Sequence, residues 1–154
     1  MMTVYNEMTF KRAVDEIFNF SERHKQVNGF GFGNVVDYGK MDDETTTLYP
    51  FVFVTPQNII YNKTYTTYEF TVTIGDQVQA DEENRVSVIS NMQMIGKDLL
   101  AYIQQDNLET YFDFDFPVSA VPFVERFNDV IGGVSLQLSV RVVDSINTCE
   151  PIAG

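Results

Sequence analysis

The side chains able to do chemistry are few and scattered. His24 is the single histidine and Cys149 the single cysteine. One imidazole cannot build a multi-histidine metal site. One thiol excludes an intramolecular disulfide framework and a multi-cysteine zinc site. Cys149 as a nucleophile would have only His24 as an imidazole partner, and it sits in a polar tail. His24 lies near the end of a helical pattern, where a charged imidazole suits the helix dipole. Asp42-Asp43-Glu44 could attract calcium, but the alternating spacing of a calcium hand and its distal glutamate are absent, so the run reads as a solvated loop. Asp113 and Asp115 share one face of an alternating strand with Phe112, Phe114 and Phe116. A metal or acid–base pair is conceivable there; exposed charge that blunts aggregation is the better reading. Gly29-Phe30-Gly31-Phe32-Gly33 has the spacing of a phosphate cradle. Such a cradle follows a strand and opens a helix. These glycines follow a helix and precede the strand-like Val35-Val36-Asp37-Tyr38, so turn or strand-edge geometry is expected. Serine-nucleophile, P-loop and dinucleotide patterns are missing. The expectation is a protein that is not an enzyme, with no catalytic, cofactor-binding or metal-binding residues.

The elements that would position these groups read as helix, strands, helix, strands. Phe10, Val14, Ile17 and Phe20 or Ser21 recur at three and four within residues 6–27, an amphipathic helix with Asn6 or Thr9 as its cap and Asn28-Gly29 as its end. Residues 48–54 are apolar on both faces, as in a well-covered strand. Thr55-Pro56-Gln57-Asn58 is expected to interrupt it, Ile59-Ile60-Tyr61 to resume, and Asn62-Lys63 to form a hairpin tip. Residues 68–74 then alternate strictly, and Gly75-Asp76 should end that strand. Tyr61 and Tyr65 flank the tip, with Lys63 between them. Two readings stand: an arm that touches another subunit, or plain strand propensity.

Asp81-Glu82-Glu83 should start a second helix by opposing its positive dipole end. Its stripe is Val88, Met92, Ile95, Leu99 and Tyr102 or Ile103, running to about Gln105. Gly96 beside the stripe would permit close packing, and Met92 and Met94 read as core filling. Residues 121–127 look extended. Asn128-Asp129 and Gly132-Gly133 supply turn chemistry, and 134–142 is the cleanest alternating strand in the chain. Segregated runs of this kind indicate an α+β fold: one mostly antiparallel sheet with two helices packed on a face.

Composition bounds the function. The chain has 154 residues, enough for one domain spanning 1–154, with a flexible polar tail from about 144. Ten basic and 22 acidic side chains leave a formal charge of −12. Residues 1–40 sum to zero, so the whole excess lies beyond them. That sign disfavours gripping nucleic acid, though not nucleic acid passing nearby. The longest mostly apolar run is seven residues and contains Pro50. A membrane helix needs about 20, so no membrane association is expected. Asp15 and Glu16 stand where a secretory apolar region would continue. A reducing cytosol, or a particle assembled in it, fits the cysteine usage.

One succession of segments goes further. Leu48-Tyr49-Pro50-Phe51-Val52-Phe53-Val54 precedes the strand ending Phe70-Thr71-Val72-Thr73-Ile74-Gly75-Asp76. Then come the helix opening Asn84-Arg85-Val86-Ser87-Val88-Ile89-Ser90, the run Val121-Pro122-Phe123-Val124-Glu125-Arg126-Phe127, and Ile131-Gly132-Gly133-Val134-Ser135-Leu136 leading to Cys149-Glu150-Pro151. Over residues 5–151 this order resembles small neck and tail proteins of tailed bacteriophages, of the tail-terminator, tail-completion or connector-ring type, including those of crAss-like phages. The resemblance implies a tail-terminator-like fold and a structural virion protein of the neck or tail, assembled in the host cytoplasm. Copies would form a cyclic hexamer or dodecamer that links portal or adaptor to tail. Genomic DNA would pass through the ring without sequence-specific binding. It also implies subunit contacts at the hairpin tip, Tyr61, Lys63 and Tyr65, and at the loop Asp42, Asp43 and Glu44. The alternative is a soluble acidic binding module, a decoy for a nucleic-acid enzyme.

Overall fold

A computed structural model describes residues 10–34, 48–79, 83–105, 116–126 and 129–143. The elements run α1 (Phe10–Arg23), β1 (Gly29–Phe32), β2 (Phe51–Tyr61), β3 (Tyr65–Gln77), α2 (Arg85–Ile103), β4 (Ala120–Arg126) and β5 (Val130–Val143). The five strands form one sheet in the order β1-β2-β3-β5-β4. Every neighbouring pair is antiparallel except β1 with β2. The fold is α+β, as the segregated element order indicates.

Alternation explains why the helices share one face. Phe70, Val72 and Ile74 of β3 face the same way as Leu138, Leu136 and Val134 of β5, their register partners. Together with Val52, Val54, Val140 and Val142 they make the floor of the main core. α1 lays Ala13, Ile17 and Phe20 on that floor, and α2 lays Val88, Met92, Ile95, Leu99 and Ile103. Each fully buried Leu, Ile or Phe contributes about 1.5–3 kcal/mol of transfer free energy. Gly96 lets α2 approach closely: a Cβ there would stand 3.3 Å from Leu136 Cδ1.

The opposite face is apolar at one end only. Phe51, Phe53 and Ile131 form a second buried cluster, flanked by Tyr49 and Phe123. The Phe51 ring covers Gly75, the cross-strand partner of Gly133: a Cβ on Gly75 would lie 2.8 Å from Phe51 Cζ. Farther along, this face is polar, with Thr71, Glu69, Gln137 and Ser139 on β3 and β5.

Several sequence expectations are corrected. Thr55-Pro56-Gln57-Asn58 does not interrupt β2; it makes a bulge, with the register shifting between Pro56 and Asn58. Val54 gives its carbonyl to Gly33 on the outer side of β2, so alternation turns Pro56 outward too, and its missing N–H costs no ladder bond. Gly132 and Gly133 are not a turn. They are buried inside β5, because a Cβ on Gly133 would overlap the Ile74 carbonyl. β3 runs on through Gly75-Asp76 to Gln77. The glycine-rich 29–32, by contrast, has the strand-edge geometry expected of it, as strand β1 at the edge of the sheet. No acidic residue occupies the first turn of α2; the Asn84 carbonyl accepts from Val88 N, and its side chain accepts from Gln79 N. Met92 is buried, but Met94 faces outward. Phe116 precedes β4, exposed and outside any strand. The expected caps Asn6 and Thr9, the strand 35–38, Asp81 and Glu82, the Asp113/Asp115 pair and the tail from 144 lie outside the described residues. Among the described residues, no helix is long and apolar enough to cross a membrane.

Gly133→Ala should unfold the protein or lower its melting temperature more than Leu99→Ala does, although it adds only one methyl. Leu99→Ala should cost about 2–5 kcal/mol for its cavity. Chemical denaturation of both variants checks the order.

Candidate subunit interface

The hairpin tip is built by two long strands that outrun the rest of the sheet. β1 pairs with β2 only as far as Val54, and β4 pairs with β5 only over Val130 to Leu136. Beyond those points β2, β3 and β5 continue as a three-stranded ribbon. Asn62 N donates to Tyr65 O at 2.9 Å and closes the loop at residues 62–64. The turn is where the sequence places it.

The tip residues do not form one patch. Tyr61 stands opposite Thr66 and Tyr65 opposite Val143, one position apart in register. The two tyrosines therefore lie on opposite faces of the sheet. Tyr61 is 73% exposed on the helix-bearing face. Tyr65 is half-buried, and Arg141 stacks its guanidinium 5.3 Å from the ring centroid. Lys63 is exposed at the apex. Asp42, Asp43 and Glu44, the other candidate contact, lie outside the described residues.

Sequence reasoning missed the neighbours that matter most. Ile59 and Ile60 are 46% and 44% exposed, although both are large and apolar. A paired apolar run reads as core in a sequence; among the described residues no strand pairs beside it on the outer side of β2, since β1 reaches only Val54. Behind it the polar face is laced by side-chain hydrogen bonds. Gln57 Nε2 donates to Thr71 Oγ1 at 3.1 Å, and Thr71 Oγ1 donates to Gln137 Oε1 at 3.2 Å. Asn58 Nδ2 donates to Glu69 Oε1 at 3.1 Å, and Ser139 Oγ to Glu69 Oε2 at 3.4 Å. These bonds hold three strands flat in register across exposed surface.

His24 also has a defined role. Its Nδ1 accepts from Gln26 N at 3.2 Å, so Nε2 carries the proton and donates to Asp98 Oδ2 at 2.8 Å. The neutral ring thus satisfies both partners and ties the end of α1 to α2. It borders an open groove of ≈ 360 Å³ with Arg23, Asp98, Tyr102 and Gln105. Nearby, Tyr102 donates to Glu16 Oε2 at 3.3 Å. Burial raises the Tyr102 phenol above its usual value of 10.0, and the charge on Glu16 raises it further. Among the described residues, no group of three or more His, Cys, Asp or Glu converges as a metal site would require.

No family model matches the chain, and no curated protein does either.

Nitrogen-detected NMR of the neutral His24 ring should find the Nε2–H tautomer, and Asp98→Ala should loosen α1 by under about 1 kcal/mol. Tyr102 binds its proton more tightly folded than unfolded. The linked stabilisation is therefore complete below pH 10.0 and lost as pH rises through the folded value. Glu16→Gln should lower the Tyr102 midpoint in an ultraviolet pH titration.

Proposed function

We propose that the chain is a structural component of a tailed-bacteriophage virion. Copies form a ring in the neck or tail, around the DNA channel, and join portal or adaptor to tail. One observation carries the reading: the sheet ends in two edges that no other described strand covers. β1 bounds one side and β4 the other. Following the strand directions through the sheet, β1 runs opposite to β4. Copies repeated by rotation about a common axis therefore present β4 antiparallel to the next copy's β1. Antiparallel pairing is the slightly stronger geometry, and a contact between unlike edges propagates until the ring closes. The formal charge of −12 keeps such a wall from holding DNA. The hairpin tip with Tyr61 and Lys63 and the loop Asp42, Asp43 and Glu44 are the surfaces assigned to neighbouring copies and rings.

Co-expression with portal, adaptor and tail proteins should yield annular particles by electron microscopy, hexameric or dodecameric, and mass spectrometry should find the chain in purified virions. Val121→Lys places a charge on the β4 edge, at a side chain already 55% exposed. It should leave the fold intact and remove most annuli. Absence from virions, together with failure to form annuli, would sink the proposal.

A further inference from the structure

We infer that the outer edge of β2 at residues 57–61, which no described strand covers, docks on the same edge of a second copy, antiparallel about a two-fold axis at Ile60. This contact is distinct from the β1–β4 contact that closes the ring; of the surfaces assigned above to neighbouring copies and rings it uses Tyr61 of the tip, and a two-fold contact closes after two copies.

The backbone fixes the register. Asn62 N points inward to Tyr65 O. Alternation then turns Ile60 and Asn58 inward and the peptide groups of Ile59 and Tyr61 outward. Each outward residue offers one N–H and one C=O. A two-fold axis at Ile60 sets Ile59 opposite Tyr61 of the second copy, and Tyr61 opposite its Ile59. All four exposed N–H groups of the two edges then find carbonyls, in two hydrogen-bonded pairs.

The side chains suit the same register. Ile59 and Tyr61 share one face of the sheet, so each Ile59 packs beside the other copy's Tyr61, a favourable aliphatic–aromatic cross-strand pair. Ile60 meets its own symmetry mate on the other face. These three side chains are 46%, 44% and 73% exposed in the single chain. Charge selects the segment as well. Residues 55–62 carry none, in a chain of −12, so two copies can approach here without like-charge contact. β4 carries the exposed Glu125 instead. The overlap, from Gln57 to Lys63, ends short of Val54, where β1 occupies the edge.

Sedimentation of the purified chain should give twice the chain mass. Ile60→Lys adds a gatekeeping charge at an exposed position and should return a monomer with an unchanged circular dichroism spectrum. In a second variant, Ile60→Cys with Cys149→Ser, the two thiols would sit on a non-hydrogen-bonded pair with Cα atoms about 4.5 Å apart. Mild oxidation should cross-link most of the protein as a dimer. A monomeric wild type overturns the inference. So does a dimer that survives Ile60→Lys, or one in which Ile60→Cys stays reduced while Lys63→Cys, paired with Cys149→Ser, cross-links to itself.

Discussion

The unbroken register between β3 and β5 is the constraint on which everything else rests. Thirteen consecutive residues pair, from Tyr65 with Val143 to Gln77 with Ile131. Because the side-chain period is two, a slip of one residue would send Val134, Leu136, Leu138, Val140 and Val142 to the polar face. The main core would lose half of its floor, and both helices their seat. The register is secured at two places by different means. Near one end Gly133 allows a backbone approach to Ile74 that no Cβ would survive, and the Phe51 ring covers its partner Gly75. In the middle of the ladder, Thr71, Gln137, Glu69 and Ser139 bond across the strands in the open.

The helices are held unequally. α2 packs along β3, β5 and β4 through a continuous buried stripe, and Gly96 brings it close to Leu136. α1 sits toward β1 and relies on aromatic contacts. Phe10 meets Phe32, Tyr68 and Phe70, and Phe18 meets Phe30 at 5.0 Å. The His24 ring then fastens its end to Asp98. This single histidine, which looked chemically idle in the sequence, is a structural clasp whose two bonds define its tautomer.

The sequence announced the parts with strong local periodicity. The stripe from Val88 to Leu99, the alternation from Val134 to Val142 and the tip at Asn62-Lys63 all stand where spacing put them. It misled where a residue type has two uses. Gly132-Gly133 reads as a turn by composition but serves close strand approach. Pro56 reads as a strand breaker, yet it faces an edge with no ladder bond to lose. The exposure of Ile59 and Ile60 is not legible in the sequence, because local pattern cannot register that β1 pairs with β2 only as far as Val54. For the same reason the two tyrosines at the tip looked like one patch. Their placement on opposite faces follows from the register, which sets Asn62 rather than Tyr61 against Tyr65.

The strand order carries a kinetic consequence. β5 lies between β3 and β4, yet its partners in β3 are far away along the chain; Thr71 and Gln137 are 66 residues apart. The β2–β3 hairpin can zip up locally in about 1–10 μs, whereas closing the sheet with β5 belongs to the millisecond-to-second regime of non-local topologies. During that interval β3 waits with its inner edge bare and Phe70, Val72 and Ile74 wet. The danger to a nascent chain therefore lies in the middle of the future sheet, and dilution or a chaperone would matter most before β5 arrives.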